Sequence, residues 1–261
     1  EGAMWLTGTG CSDTTCLRGL TPEALIRAYP VPVNVGSRRP PVSWNPNVDG
    51  VVLPRNPLEA VRDGEGAAVP VMVGHNLDET NLSMPLITTE AEYRAFVATL
   101  VGPTLVDDVV MRYPVAAYGS PRRALVQVTT DAFFGCQARL ASRAVVHGHP
   151  AIPSYRYLFS RAPQALRGAF HGVELPYVFQ RLSLLGGTAD DLAVEAAMLS
   201  AWTRFTTSGD PNGAGLLPWP ATSSTEPMLQ FGSALSTVGG WRNAECDFFA
   251  SLGGISIPPP P

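Results

Sequence analysis

The chain has 261 residues, of which 45% are hydrophobic and 15% are charged, and its formal net charge is −4. This composition is typical of a globular protein of one or two domains and excludes a disordered chain. The acidic balance provides no basic surface for nucleic acid, and no apolar run reaches the roughly 20 residues needed to cross a bilayer. We therefore expect neither a nucleic-acid partner nor a membrane span.

The N-terminal part of the chain contains one predicted helix and a long irregular segment. Thr21 is a suitable N-cap and Pro22 fits the first helical position, so a short helix is predicted to begin here. A proline-rich segment with no clear periodicity then runs from residue 30 to about residue 57. The first predicted strand follows this segment.

That strand is a short apolar run that ends in two acidic residues. Residues 69–73 are apolar, Gly74 interrupts the run, and Asp78 and Glu79 follow it. The pattern predicts a buried parallel strand that delivers a carboxylate into the loop behind it. In open α/β sheets, catalytic groups collect beyond the carboxyl ends of such strands. Acids in these loops are also commonly solvated or cap a helix, so the run alone is a weak indication.

Hydrophobic periodicity predicts five further helices and one further strand. Thr89 and Glu92 have the spacing of a capping box, which marks the start of a helix, and Pro114 ends the next helix. Aromatic residues alternate over 153–159, as expected of a strand. The helices are predicted at residues 89–100, 105–113, 121–146, 189–206 and 241–252.

Two features of the sequence raise the question of a metal. His147 and His149 are separated by one residue, but no third ligand accompanies them, so a surface turn is predicted here. The four cysteines allow three disulfide pairings, and the alternatives are four free thiols or a zinc site. Only Cys11 and Cys16 are near neighbours, so a zinc site is poorly supported and no metal is expected.

The rest of the sequence is organised around residues 168–179, which contain a histidine among large apolar residues. Gly172 follows His171 and lets the backbone turn tightly beside the ring. Phe170 and Tyr177 are expected to hold the loop on a buried surface. An imidazole that is held in place is a suitable general base, because its ordinary pKa is close to neutral. Most single histidines serve no such role, so a carboxylate partner is required.

The loops Asn76-Leu77-Asp78-Glu79 and His171-Gly172-Val173-Glu174 together resemble those of the type-B carboxylesterases, the cholinesterase-like branch of the α/β-hydrolase fold. The resemblance implies that Glu79 is the acid and His171 the base of a catalytic triad. It also implies an α/β fold with a mostly parallel central sheet flanked by helices. The order of acid before histidine fits that fold. Thr80 departs from the family, which usually has glycine at this position.

The resemblance runs from Cys11 to about residue 252 and covers only the C-terminal half of a type-B enzyme. It implies a small-loop disulfide between Cys11 and Cys16 and a long-range disulfide between Cys136 and Cys246. Disulfides imply export to an oxidising compartment, so the protein is expected to be secreted or periplasmic.

Three further correspondences follow from the resemblance. Pro40 and Val42 would contribute to the acyl pocket and, being non-aromatic, would admit a larger acyl group, although a loop that merely covers the fold is equally plausible. Asp131 would support the histidine loop indirectly, without contacting the substrate, although an ordinary helix acid is equally plausible. Residues 228–231 resemble the last strand of the family.

The sequence contains no Gly-x-Ser-x-Gly motif, so the nucleophile is not in this chain and is expected before Glu1. Residues 1–261 would form the C-terminal part of one α/β-hydrolase domain. We expect a nicked or two-chain enzyme whose N-terminal half carries the serine; alternatively, one polypeptide is divided at a loop. The predicted function is a serine carboxylic-ester hydrolase for a small-molecule ester, without a cofactor. The alternative is a catalytically inactive cholinesterase-like adhesion or binding module.

Overall fold

The structure, a computed structural model, describes residues 2–28, 48–162 and 168–253. Its contacts divide the chain into two units, Glu1–Asn47 and Val48–Pro261. The predicted acyl-pocket residues Pro40 and Val42 lie outside the described residues. The strands and the predicted catalytic residues all belong to the second unit.

Residues 2–28, the described part of the first unit, contain three short helices, two of which begin at side-chain caps. The hydroxyl of Thr21 accepts the N–H of Ala24 at 3.2 Å and caps the predicted helix, and Asp13 caps the helix before it by accepting the N–H of Cys16 at 2.8 Å. Cys16 also forms a disulfide with Cys11. The helices are α1 (Gly2–Thr9), α2 (Thr14–Arg18) and α3 (Pro22–Ala28).

The second unit is built on a sheet whose four described strands follow one another in chain order. The first three strands are parallel, and the fourth returns antiparallel to the third. This mostly parallel sheet confirms the predicted α/β class. The last strand was not predicted, because four residues that are largely open to solvent give little periodicity. The strands are β1 (Val71–Asn76), β2 (Ser154–Phe159), β3 (Met228–Phe231) and β4 (Leu235–Val238).

A glycine allows β1 and β2 to approach each other closely. Gly74 pairs with Tyr157, and a Cβ at position 74 would lie 2.4 Å from the Tyr157 carbonyl oxygen. The same register pairs Asn76 with Phe159, so both strands end at the same level. The loops that follow β1 and β2 therefore leave the sheet side by side.

Helices cover both faces of the sheet. Tyr155 and Phe159 of β2 pack into a core with the helix Ala189–Ser208, whereas Ser154, on the opposite face of the strand, bonds Ser142 of the helix Cys136–Gly148 at 2.8 Å. None of the described helices is both long and apolar enough to cross a membrane. The helices are α4 (Pro57–Arg62), α5 (Glu90–Val101), α6 (Val106–Arg112), α7 (Val115–Tyr118), α8 (Pro121–Thr130), α9 (Cys136–Gly148), α10 (Leu175–Val178), α11 (Ala189–Ser208) and α12 (Asn243–Gly253), with 3₁₀ turns at Pro103–Leu105 and Leu182–Leu185.

The helix predicted at residues 121–146 is interrupted by a π-helical turn. α8 ends at Thr130, residues Asp131–Gly135 form the π turn, and α9 continues from Cys136. Gly135 brings this turn against the sheet, because a Cβ there would lie only 3.0 Å from Nε2 of His75. Single π turns inside helices are frequent at functional sites.

The surface turn predicted at residues 147–149 is wrong for the first two residues. His147 and Gly148 belong to the last turn of α9, and only His149 follows it. Nδ1 of His147 lies 3.2 Å from the carbonyl oxygen of Arg62, so this ring has a backbone partner. In the part of the chain that the structure describes, no group of three His, Cys, Asp or Glu side chains is placed to hold a metal.

Candidate active site

Glu79 lies in the loop after β1 and His171 in the loop after β2, and the structure brings their side chains together. Nδ1 of His171 is 2.7 Å from Oε2 of Glu79. The backbone N–H of His171 also donates to the carbonyl oxygen of Glu79 at 3.1 Å. A carboxylate only accepts, so the hydrogen bond assigns the imidazole proton to Nδ1 and leaves Nε2 as an acceptor.

Both oxygens of the Glu79 carboxylate have a donor. Oε1 accepts the backbone N–H of Asn76 at 2.8 Å, and Oε2 faces His171. The residue is only 6% exposed. Burial raises the pKa of Glu79, while the hydrogen bonds from Asn76 and His171 act in the opposite direction. The carboxylate is therefore fixed in orientation and shielded from water.

The loop that carries Glu79 is bonded directly to the loop that carries His171. The N–H of Asp78 donates to the carbonyl oxygen of Ala169 at 2.9 Å, and the N–H of Ala169 donates to Oδ2 of Asp78 at 3.1 Å. Gly168 makes this close approach feasible, because it has φ +88° and a Cβ there would lie 2.8 Å from Oδ2 of Asp78.

Asn76, the last residue of β1, forms a second link between the two loops. Its side-chain amide donates to the carbonyl oxygen of Phe170 at 2.9 Å and also to the carboxylate of Glu174. Asn76 thus contacts the histidine loop on both sides of His171. The two loops form one hydrogen-bonded unit at the carboxyl ends of β1 and β2.

The ring of His171 is open to solvent on one side and packs against an aromatic ring on another. Its side chain is 72% exposed, although Glu79 beneath it is buried. The ring of Phe134 lies 5.2 Å from it, centroid to centroid. Phe134 belongs to the π turn. Sequence reasoning missed this contact, because a π turn changes which helix residues face the site and has no sequence period of its own.

Asp131, predicted to support the histidine loop, has its partners elsewhere. Its carboxylate accepts from the Tyr113 hydroxyl at 2.9 Å and from the Gln127 amide at 2.6 Å, and the guanidinium of Arg242 lies at 3.6 Å. None of these three partners belongs to the loop around His171. Burial raises the pKa of Asp131 to about 6. Asp131 therefore ties the π turn to α8 and to the segments before α7 and α12. Its indirect support of the histidine loop stays a prediction, beside the alternative of an ordinary helix acid.

Thr80, the residue that departs from the resemblance, is buried against α8. Its hydroxyl lies 2.6 Å from the hydroxyl of Thr129 and 3.2 Å from the carbonyl oxygen of Val126. The threonine therefore adds a contact that glycine could not make. The sequence alone could not predict this contact, because it depends on where α8 packs.

Comparisons with known proteins identify relatives of about twice this length. Carboxylesterase 1C of Mus musculus is 25% identical over 93% of this chain and 48% of that protein. Fumonisin B1 esterase of Sphingopyxis macrogoltabida is 30% identical over 76% of this chain and 38% of that protein. Cocaine esterase of Homo sapiens is 27% identical over 82% of this chain and 41% of that protein. The chain thus spans about half the length of the curated relatives it matches.

Solved structures show the same fold. A PNB esterase matches with a TM-score of 0.73 at 22% identity and covers 95% of this chain and 53% of its own. The carboxylesterase of Geobacillus stearothermophilus matches with a TM-score of 0.71 at 26% identity, and the match covers 95% of this chain and 53% of that protein. The fold is therefore that of the α/β-hydrolase esterases, and this chain corresponds to about half the length of those solved structures.

The sequence profile of the carboxylesterase family matches residues 4–249. That match includes both loops of the candidate site and every strand of the sheet. The chain belongs to the carboxylesterase family.

Proposed function

We propose that this chain supplies the acid and the base of a Ser-His-Glu triad in an enzyme that hydrolyses carboxylic esters. One observation carries the proposal: Nδ1 of His171 is 2.7 Å from the buried Glu79 carboxylate, while the ring is 72% exposed. Nε2 lies at the opposite side of the ring from Glu79. It is therefore the nitrogen that can take a proton from a hydroxyl brought by another segment.

The nucleophilic serine belongs, in this proposal, to an N-terminal half that precedes this chain. Three observations support it. The sequence has no Gly-x-Ser-x-Gly motif, and the relatives are about twice as long. In addition, the outer edge of β1 has no partner among the strands that the structure describes. Parallel sheets of α/β proteins are normally buried, so a further strand beside β1 would complete one domain.

In the proposed reaction the serine oxygen attacks the ester carbonyl carbon while Nε2 of His171 accepts the hydroxyl proton. The carbon–oxygen bond to the alcohol then breaks, and His171 returns the proton to the leaving oxygen. A water molecule repeats both steps on the acyl-enzyme and releases the acid. Backbone N–H groups of the N-terminal half would bind the oxyanion. The mechanism needs no metal or cofactor.

Glu79 would act through His171 and not on the substrate. As a carboxylate it keeps the proton on Nδ1 and stabilises the imidazolium that forms during each transfer. The N–H of Asn76 holds the second carboxylate oxygen at 2.8 Å, so the charged form keeps a donor on each oxygen. Position and charge of the base are thus both set by the loop after β1.

Two further parts of the proposal concern substrate class and location. The relatives include proteins named for the hydrolysis of different esters, fumonisin B1 esterase and cocaine esterase, which supports a carboxylic ester as the substrate class. The Cys11–Cys16 and Cys136–Cys246 disulfides support a secreted or periplasmic protein, because such bonds persist in oxidising compartments.

A fluorophosphonate probe, which reacts with activated serines, tests the proposal on the complete protein. We expect labelling of one serine outside residues 1–261, located by mass spectrometry, and loss of labelling in His171→Ala. Absence of labelling in the wild-type protein would contradict the proposal and favour a binding module without catalysis. A labelled serine within residues 1–261 would also contradict it. If the intact mass of the protein under reducing conditions accounts for these 261 residues alone, the proposal of an N-terminal half is wrong.

A further inference from the structure

We propose that Thr80 is a positioning residue for the reaction: its hydroxyl, bonded to α8, holds Glu79 in line with His171. The inference rests on the triad proposed above and adds a residue to it. Thr80 is the neighbour of the triad acid and occupies the position where the resemblance expects glycine.

The contacts form a short chain of hydrogen bonds into α8. The hydroxyl of Thr129 lies 2.8 Å from the carbonyl oxygen of Leu125, one helical turn earlier. Either hydroxyl can donate in the 2.6 Å contact between Thr80 and Thr129, because the Thr80 hydroxyl also lies 3.2 Å from the carbonyl oxygen of Val126. In both arrangements the hydroxyl of Thr80 is bonded to α8. Both threonines are buried, so water does not replace the bond when it is lost.

The peptide between Glu79 and Thr80 is therefore held from two directions. On one side, the carbonyl oxygen of Glu79 accepts the N–H of His171 at 3.1 Å. On the other side, the side chain of Thr80 is anchored to α8. The N–H of Asn76, at the end of β1, holds one oxygen of the Glu79 carboxylate at 2.8 Å, and the bond from Thr80 to α8 holds the backbone that follows the acid.

Arg122, in the first turn of α8, holds the next part of the same loop. Its guanidinium donates to Oδ1 of Asn81 at 2.7 Å and to the carbonyl oxygen of Asn81. Two successive residues after Glu79 are thus bonded to α8. Because the two anchors are adjacent, loss of the Thr80 bond loosens the acid without releasing the whole loop.

This arrangement predicts an effect on kcat and not on KM. The hydroxyl of Thr80 is buried and its hydrogen-bond partners are Thr129 and Val126 of α8, so substrate binding should not depend on it. A small displacement of Glu79 lengthens the bond to Nδ1, and misplacement of a catalytic group lowers the rate of the chemical step. We expect the loss of one buried hydrogen bond to lower kcat about tenfold.

The test uses the complete protein with p-nitrophenyl acetate as the probe ester. Thr80→Val removes the hydroxyl and keeps the shape of the side chain, and it should lower kcat about tenfold with KM unchanged. Thr80→Ser keeps the hydroxyl and should restore kcat close to the wild-type value. Thr129→Val removes one of the two partners of the Thr80 hydroxyl and leaves the Val126 carbonyl oxygen, so it should lower kcat by a smaller factor; it serves if Thr80→Val does not fold.

Thr222→Val is the matched control. Thr222 is buried, and its hydroxyl lies 2.8 Å from that of Ser142, far in the sequence from either loop. It should lower the melting temperature as Thr80→Val does and leave kcat unchanged. Wild-type kcat in both Thr80→Val and Thr129→Val, no rescue by serine, or an equal loss of kcat in Thr222→Val would overturn the inference. Retained turnover in Glu79→Gln would instead overturn the triad itself, so the two failures are distinguishable.

Discussion

The side chains of the candidate site hold their positions because backbone groups of neighbouring strands and loops bind them. The Glu79 carboxylate accepts from the N–H of Asn76 and from His171, and the N–H of His171 donates to the Glu79 carbonyl oxygen. Two residues that are 92 positions apart thus share three hydrogen bonds with β1 and with each other. The pair is preorganised, which is what a proton relay requires.

His75 lies just before these loops and makes stability depend on pH. It is 3% exposed, and burial, with a smaller contribution from the charge of Arg156, lowers its pKa to about 3. An unfolded chain binds a proton at His75 below about pH 6.5, whereas the folded chain does not until about pH 3. The neutral ring therefore contributes stability that is complete above about pH 6.5 and is lost as the pH falls towards 3.

We expect the free energy of unfolding to fall by about 1.4 kcal/mol per pH unit between pH 6 and pH 4 because of this one group. Denaturant unfolding at several pH values, for the wild type and His75→Leu, measures the difference between the two slopes. The variant should lack this part of the slope. Identical slopes would show that His75 is not buried in the neutral form.

Gly168 is the residue where a single methyl group should disturb the site. Gly168→Ala places a Cβ 2.8 Å from Oδ2 of Asp78, at φ +88°. Gly215 offers a matched control, with φ +81° and nothing within 4 Å of a Cβ. Both alanine variants should lose about 1–2 kcal/mol of stability through the positive φ. Only Gly168→Ala should also lose ester turnover, because it separates Asp78 from Ala169; equal turnover in the two variants would contradict this.

At the scale of helices and strands, local patterns predicted most elements, and packing decided the rest. The alternation in β2 and the capping box at Thr89 predicted those elements to within two residues. The π turn at residues 131–135 could not be predicted, because its residues are compatible with an uninterrupted α-helix. Its position depends on Gly135 meeting His75 on the sheet, a contact between distant parts of the sequence.

The Cys136–Cys246 disulfide joins the start of α9 to α12 across 110 residues of sequence. A bond that closes so long a loop removes much of the entropy of the unfolded chain, so replacing both cysteines by serine should cost about 4–5 kcal/mol. The same change at Cys11 and Cys16, which are separated by 5 residues, should cost about 2 kcal/mol. Denaturant unfolding of the two double variants tests this order, and the reverse order would contradict it.

At the scale of the whole molecule, the candidate site is assembled from two loops at one edge of the sheet. The family resemblance of the two loops predicted Glu79 and His171 as the acid and the base, and the structure places their side chains in contact. The contacts of Thr80 and Phe134 with the site could not be predicted, because α8 and the π turn bring their partners from another part of the chain. The serine remains a prediction, because the sequence has no Gly-x-Ser-x-Gly motif and the chain covers only 48% of carboxylesterase 1C.

The central claim is that Glu79 and His171 act as one unit on a serine from the N-terminal half. Steady-state hydrolysis of a p-nitrophenyl ester by the complete protein tests it most directly, with Glu79→Gln as the variant. Glu195→Gln is the control, because Glu195 is also buried and accepts a backbone N–H, from Leu182 at 3.1 Å, away from the site. We expect kcat to fall about 10³- to 10⁴-fold in Glu79→Gln, with folding retained, and to stay unchanged in the control. Wild-type turnover in Glu79→Gln would contradict the account.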